Sequence, residues 1–220
     1  MRAAIFDLDG VIVDTAKYHY LAWKRLANEL GFDFSEEQNE RLKGVSRVRS
    51  LEILLEIGGL DASEGERESM ATRKNEWYVE YISKMDPHEI FPGAVDYIDY
   101  LKSKGVKIAL ASASKNAPLI LDRLKIACLF EVVIDGTRVS KAKPDPEIFT
   151  RAASELGIPF EDCVVFEDAE AGIEAARRGG MGSVGIGKPA NLKDADMVIT
   201  SFQHLLTAAA IDVSTPASAP

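Results

Sequence analysis

The spacing of hydrophobic positions changes several times along the chain, and each change predicts a different element. Residues 2–7 form a short apolar run that predicts a buried strand. After Asp14 the apolar positions recur about every 3.6 residues, as they do on one face of a helix. Asp14 or Thr15 can cap this helix and Gly31 can end it. The first strand is therefore expected to lead directly into helix.

Helical spacing then continues to about residue 85. The tetrads SEEQ, beginning at Ser35, and SEGE, beginning at Ser63, both match a capping box, which marks the start of a helix. Between them, SRVRSLEILLEIGG predicts a helix that ends at a pair of glycines. We therefore predict that residues 15–85 are wholly helical and that the last helix reaches about Met85.

From Asp86 onward, short β-branched runs alternate with helical patterns. The runs are VKIALAS, EVVID, CVVFED, SVGIG and DMVIT. Such alternation is typical of an α/β fold with a doubly wound parallel sheet. We predict an α/β core from residues 1–14 and 86–210, with residues 15–85 inserted as a helical cap. Residues 211–220 are small, polar and Pro-rich, and we expect this tail to be frayed.

Composition narrows the class of protein. A chain of 220 residues with 46% hydrophobic and 28% charged residues is typical of a soluble globular protein. Its net charge of -9 argues against nucleic-acid binding, which needs an excess of clustered Lys and Arg. Neither a run approaching the roughly 20 apolar residues of a membrane span nor a signal-peptide pattern is present. We therefore expect a cytoplasmic monomer that acts on a small molecule.

Two cysteines occur in apolar surroundings. Cys128 lies in IACLF and Cys163 in DCVVF, with no histidine cluster beside either. Buried thiols are favoured over a disulfide for both residues.

Polar side chains follow four of the predicted strands. In open parallel sheets, ligands collect at the carboxyl ends of the strands, so these side chains are expected to meet. Their acids, hydroxyls and lysine indicate one site for a divalent cation and a phosphate. The four clusters are Asp7 with Asp9; Ser112, Ala113, Ser114, Lys115 and Asn116; Lys143; and Glu167 with Asp168.

Paired acids such as Asp7 and Asp9 also occur in calcium loops and in solvated turns. A helix-loop-helix calcium loop counted from Asp7 would have Val11, Ile12 and Tyr18 at its fifth, sixth and twelfth positions, where it needs an acid, a glycine and a glutamate. The sequence therefore excludes this loop. A solvated acidic turn stays open, although the apolar neighbours predict a dry environment in which paired carboxylates repel unless a cation or a shared proton relieves them.

The segments DLDGVIVDT, LASASKN, KAKPDP and FEDAEAG resemble, in order and spacing, the four motifs of the haloacid dehalogenase superfamily of phosphotransferases. The resemblance implies that Asp7 is a nucleophile that forms an aspartyl phosphate. It implies that Asp9 is the general acid and base. It further implies a Rossmann-like core, with Ser112 and Lys143 on the phosphoryl oxygens. The implied Mg²⁺ ligands are Asp7, the backbone carbonyl of Asp9, Glu167 and Asp168.

The predicted insert resembles that of sugar-phosphate mutases of this superfamily, over TAKYHYLAW, KGVSRVRSL and RKNEWY. Thr15, His19 and Trp23 are spaced by four and would share one helix face. A mutase also needs a second anion site for the distal phosphate. The resemblance implies that Arg47, Ser114, Lys115 and Asn116 form it. The implied contacts to the sugar phosphate from the insert are Thr15, His19, Trp23, Lys43, Gly44, Val45, Arg47, Ser50 and Lys74.

The reaction implied by the resemblance converts β-glucose 1-phosphate into glucose 6-phosphate through β-glucose 1,6-bisphosphate. A Mg²⁺-dependent sugar-phosphate phosphatase is the main alternative, because it would use the same core residues without needing the distal site. A phosphosugar-binding regulatory module on an inactive fold is a third, but such a protein would be expected to lose Asp7 or Asp9. Product analysis separates the three.

Overall fold

Six strands form a single parallel sheet within residues 1–42 and 46–207, which are the residues described by the computed structural model. The strand order is β3-β2-β1-β4-β5-β6, the arrangement of a doubly wound α/β fold. Each predicted apolar run forms one strand, and the predicted fold class is confirmed. The strands are β1 (Ala3–Phe6), β2 (Lys107–Ala111), β3 (Val132–Ile134), β4 (Cys163–Glu167), β5 (Gly182–Ile186) and β6 (Met197–Ile199).

Helices cover both faces of the sheet. They are α5 (Ala94–Ser103), α6 (Ala117–Leu124), α7 (Glu147–Leu156) and α8 (Glu170–Arg178). Along β1 the side chains alternate between two cores, because successive residues of a strand point to opposite faces. Ala4 and Phe6 pack with residues of α5 and α6, whereas Ala3 and Ile5 pack with residues of α7 and α8. The central strand is thus buried on both sides and fixed in position.

Between β1 and α5 the described residues form four α-helices, which we call the helical insert. They are α1 (Ala16–Glu29), α2 (Glu36–Asn39), α3 (Arg47–Gly58) and α4 (Glu64–Ile82). Their hydrophobic residues form a core of their own, which includes Trp23, Leu26, Phe34 and Leu54. Ala22, Tyr78 and Ile82 instead join the core beside α5 and α6, so the insert packs both on itself and on the sheet side of the molecule.

The described residues between 15 and 85 form helices joined by turns and no strand, as predicted. Both capping boxes are present, and Ser35 and Ser63 have extended backbones, as helix caps require. Gly59 ends α3 in the left-handed region with φ 63°, which a glycine adopts without steric cost. The last helix, α4, ends at Ile82, short of Met85.

The cysteine prediction is half wrong. Cys163 is buried in β4, but Cys128 is exposed, and both are free thiols. Cys128 lies in a single turn of 3₁₀-helix, Ala127–Leu129, whose apolar flanks Ile126 and Phe130 are the residues that enter the core. The apolar residues around Cys128 in the sequence are thus buried, while the cysteine itself faces solvent.

No helix in the described ranges combines the length and the apolar character that crossing a bilayer demands. The predicted contacts Lys43, Gly44 and Val45, and the predicted tail, lie outside the described residues.

Candidate active site

The polar clusters meet at the carboxyl end of the central strands. Phe6, the last residue of β1, lies opposite Leu110 of β2 and Phe166 of β4. Asp7 follows directly, and its backbone N–H donates to the carbonyl of Phe166 at 2.9 Å. This register brings Asp7, Ser112 and Glu167 to one edge of the sheet, at the point where the strand order reverses.

Three carboxylates form a cluster suited to a divalent cation. Asp7, Glu167 and Asp168 each offer an oxygen, and these oxygens lie within 4.8 Å of one another. Asp7 is only 6% exposed and Glu167 only 2%. Burial raises the pKa of Glu167 to about 7; Asp168 is more exposed, and partial desolvation of its carboxylate with the charges of Glu167 and Asp7 raises its pKa above the ordinary value. A hard cation with oxygen ligands would relieve this repulsion, so the residues present fit a divalent metal.

Lys143 supplies positive charge to the same cluster. Its Nζ donates to Oδ1 of Asp7 at 2.6 Å and to Oε2 of Glu167 at 2.7 Å. Burial alone would lower the pKa of Lys143, but the adjacent charges of Asp7 and Glu167 raise it above its ordinary value. The lysine therefore stays protonated at neutral pH and neutralises part of the acidic cluster.

Asp9 is held by hydrogen bonds on both carboxylate oxygens. Thr15, the N-cap residue of α1, donates its hydroxyl to Oδ1, and Ser112 donates to Oδ2 at 3.4 Å. The backbone N–H of Asp9 donates to Oδ2 of Asp7 at 2.9 Å. Burial and the charge of Asp7 raise the pKa of Asp9 to about 6. Asp9 thus retains a proton more readily than an ordinary aspartate, as a general acid must.

Gly10 permits the close approach of the acidic residues. Its φ is 79°, and a Cβ added there would lie 2.0 Å from Oδ2 of Asp168. Any side chain would therefore collide with the third carboxylate of the cluster. Gly10 is therefore needed where the loop after β1 passes close to Asp168, the residue that follows β4.

The helical insert contributes a cationic and aromatic group. Lys74 Nζ lies 2.8 Å from Nδ1 of His19 and 4.5 Å from the ring centroid of Trp23. Lys74 is buried, and burial with the charge of Arg47 lowers its pKa to about 7. Burial and the charge of Lys74 lower the pKa of His19 well below its ordinary value. His19 is therefore neutral, and its Nδ1 forms a hydrogen bond with Lys74 Nζ.

A second polar group joins the insert to the sheet. Oδ1 of Asn75, on α4, accepts a hydrogen bond from Nη2 of Arg47 at 2.8 Å and another from Nδ2 of Asn116 at 3.2 Å. Arg47 begins α3, and Asn116 is the N-cap residue of α6. Arg47 and Asn116, both predicted for a distal anion site, are thus hydrogen-bonded to the same amide oxygen.

The remaining predicted residues make few or no contacts with the other residues of the site. Ser114 Oγ accepts from the backbone N–H of Asn116 at 3.2 Å, while Ala113 and Lys115 are exposed on the same loop. Ser50 is buried in α3, where its backbone N–H donates to Ser46, and nothing in the described ranges links it to another predicted site residue. Its predicted role stays a prediction.

The sequence did not single out two residues that the structure brings to this site. Asn75 carried no signal, since it is one polar residue on a largely polar helix. Tyr78 did carry one, because it lies four residues after Lys74 and so shares its helix face. Its ring stacks on His19 with centroids 4.0 Å apart.

Comparison with known proteins gives consistent results. The family model of the haloacid dehalogenase-like hydrolases matches residues 1–180. The chain is 46% identical to the β-phosphoglucomutase of Bacillus subtilis (strain 168) over 207 aligned residues. The aligned region covers 93% of this chain and 92% of that protein. The chain is 33% identical over 184 residues to the phosphorylated carbohydrates phosphatase of Thermotoga maritima, over 82% of each chain. The crystal structure of β-phosphoglucomutase from Clostridium difficile matches with a TM-score of 0.88 and 42% identity, over 96% of each chain.

Proposed function

Because the chain belongs to the haloacid dehalogenase-like hydrolase family, we propose that it is a phosphotransferase that interconverts β-glucose 1-phosphate and glucose 6-phosphate. It thus acts as a β-phosphoglucomutase, like the relatives that match nearly its full length. The observation that carries the proposal is that Arg47 of the insert and Asn116 beside the sheet both donate a hydrogen bond to Oδ1 of Asn75, which brings them together. A mutase must hold a distal phosphate while the other one reacts, and a phosphatase need not.

Asp7 is the proposed nucleophile. Hydrogen bonds from Lys143 to Oδ1 and from the backbone N–H of Asp9 to Oδ2 orient its carboxylate. Attack on phosphorus forms an aspartyl phosphate and releases the sugar oxygen. Lys143 and Ser112 hold phosphoryl oxygens during the transfer. Mg²⁺, held by Asp7, the backbone carbonyl of Asp9, Glu167 and Asp168, would neutralise the charge on those oxygens.

Asp9 moves the proton at the sugar oxygen. Thr15 and Ser112 fix its orientation, and its pKa of about 6 lets it hold a proton near neutral pH. Phospho-Asp7 gives its group to the 6-hydroxyl of β-glucose 1-phosphate while Asp9 accepts the hydroxyl proton. The resulting β-glucose 1,6-bisphosphate turns around and returns its 1-phosphate to Asp7. Asp9 then protonates the departing oxygen, and glucose 6-phosphate leaves.

The helical insert binds the sugar and keeps water out. His19, Trp23 and Lys74 face the sugar between the two phosphates, and Arg47 with Asn116 holds the distal phosphate. Excluding water matters because water would otherwise hydrolyse the aspartyl phosphate. The proposal extends to a cytoplasmic monomer, which cell fractionation and gel filtration would test.

The test follows two products in parallel. The protein is incubated with Mg²⁺, β-glucose 1-phosphate and a trace of glucose 1,6-bisphosphate, and glucose 6-phosphate and free phosphate are measured, with Asp7→Ala as the blank. Glucose 6-phosphate without matching phosphate is the expected result.

A sugar-phosphate phosphatase is the second candidate, favoured by the 33% identity to the Thermotoga maritima phosphatase. Stoichiometric release of phosphate would establish it and would remove the distal role from Arg47 and Asn116. If neither product forms while phosphosugar still binds, the chain is a binding module.

A further inference from the structure

The loop that carries Lys143 is hydrogen-bonded to a single carboxylate. Glu147, the first residue of α7, accepts from the backbone N–H of Ser140 with Oε1 at 3.1 Å and with Oε2 at 3.0 Å. Its Oε2 also accepts from the Ser140 hydroxyl at 2.9 Å and from the backbone N–H of Lys141 at 2.8 Å. Two consecutive residues of the loop are thus attached to α7, and Lys143 follows two positions later.

Asp145 closes the other side of this loop. Its backbone N–H donates to the carbonyl of Ala142 at 3.0 Å, and its Oδ1 accepts from the backbone N–H of Glu147 at 3.0 Å. Lys143 therefore has a hydrogen-bonded residue on each side, and both sides are connected to Glu147.

Helix α7 gives this carboxylate a rigid support. Ile148 and Phe149 are 2% and 0% exposed and belong to the core that also contains Ile5 of β1. The ring centroid of Phe149 lies 4.9 Å from Lys143 Nζ. Because close-packed cores permit little movement, the first turn of α7 is held in place relative to β1 and to Asp7, which follows it.

The ammonium of Lys143 has to be placed accurately. Its Nζ lies 2.6 Å from Oδ1 of Asp7 and 2.7 Å from Oε2 of Glu167. The four-carbon stem of a lysine is flexible, so the position of Nζ depends on where the backbone is held. A displacement of about 1 Å caused by a change outside the reacting groups can lower a rate about 100-fold.

We propose that Glu147 is a positioning residue for phosphoryl transfer, because it holds Ser140 and Lys141 and thereby keeps the Lys143 ammonium at Asp7. The hydrogen bonds that its ionised carboxylate accepts are charge-assisted and so stronger than neutral ones. The inference rests on the proposed function only in that Lys143 holds a phosphoryl oxygen, which the mutase and the phosphatase both require.

Hydrolysis of acetyl phosphate tests this without a sugar. Asp7 takes the phosphoryl group and releases acetate, and water then frees phosphate from the aspartyl phosphate. We expect Glu147→Ala to lower kcat/KM for acetyl phosphate about 10-fold to 100-fold. Glu174→Ala is the matched control, because the Glu174 carboxylate also accepts several hydrogen bonds, but all from Arg177 and Arg178 of its own helix. It should leave kcat/KM unchanged.

A second background separates positioning from helix capping. An acidic residue in the first turn also stabilises a helix, and that effect does not depend on Lys143. If Glu147 acts through Lys143, adding Glu147→Ala to Lys143→Met should lower kcat/KM by less than about 2-fold more. An equal fall in both backgrounds would overturn the inference, and so would an unchanged kcat/KM in Glu147→Ala alone.

Binding of inorganic phosphate in the presence of Mg²⁺, measured by titration calorimetry, repeats the cycle without turnover. We expect binding about threefold or more weaker in Glu147→Ala than in wild type, and no further loss when Lys143→Met is already present. Equal binding in wild type and Glu147→Ala would refute the positioning role. Failure of the mutase assignment is read separately, from the absence of glucose 6-phosphate with wild type, since neither of these measurements contains a sugar.

Discussion

Replacing Lys143 by methionine should leave the acidic cluster buried without its internal cation. Lys143 is 11% exposed as a side chain and pairs with Asp7 and Glu167, whose side chains are 8% and 2% exposed. Methionine keeps much of the apolar stem and removes the ammonium group, which also lies 4.9 Å from the ring centroid of Phe149, so the change is mainly one of charge. Breaking a buried ion pair by removing one partner costs about 3–5 kcal/mol of unfolding free energy. The loss should be largest when no divalent cation is present.

The assay is thermal unfolding in a chelating buffer and again with Mg²⁺. For a chain of this length about 1 kcal/mol corresponds to about 2–4 °C, so we expect a decrease of about 6–20 °C without metal. Mg²⁺ should narrow the difference, because it would neutralise the same carboxylates. Lys141→Met is the control, since Lys141 is 67% exposed and its pair with Asp145 is worth about 1 kcal/mol or less. The reasoning is refuted if both variants melt together in chelator.

Three further predictions concern the metal cluster and the contact between the insert and the sheet. Asn75→Ala should raise phosphate release relative to glucose 6-phosphate severalfold, because it removes the oxygen that joins the insert to the sheet; an unchanged product ratio would contradict this. Gly172→Ala would put a Cβ 2.1 Å from the Glu167 carboxyl carbon, so Mg²⁺ affinity measured by titration should fall about tenfold or more, whereas Gly65→Ala, with open space, should not change it. Burial raises the pKa of Glu167 to about 7, so the metal-free folded protein holds a proton that the unfolded chain has lost. Its stability should therefore fall as pH rises from about 4.5 to 7, and the melting shift given by Mg²⁺ should be larger at about pH 8 than at about pH 5; an equal shift at both would argue against metal binding at Glu167.

The fold was largely predictable because its signals are local. A strand such as β4 is a short apolar run between turns, and a strand buried on both faces shows this pattern clearly. The capping boxes at Ser35 and Ser63 were equally visible. Each marks the start of a separate helix, as the structure shows. Strand order depends on contacts distant in sequence, which no local pattern contains.

The site residues likewise divide into those that local sequence predicts and those that only the three-dimensional structure reveals. Asp7, Ser112 and Glu167 could be grouped in advance because each lies at or directly after the end of a strand, and parallel strands end at the same edge. Asn75 could not be found, since its importance arises only where α3 and α6 approach α4 in space. Tyr78 could have been found from its spacing to Lys74, but the stacking of its ring on His19 is visible only in three dimensions.

The most direct test of the proposed chemistry is to trap the phosphoenzyme. The protein is mixed with Mg²⁺ and glucose 1,6-bisphosphate carrying labelled phosphate, denatured in acid, digested and mapped by mass spectrometry, with Asp7→Asn in parallel. We expect the label on Asp7, as an acyl phosphate that hydroxylamine releases, and none in the variant. Glucose 6-phosphate formed at the normal rate with the label on another residue, or with Asp7→Asn still active, would contradict the account.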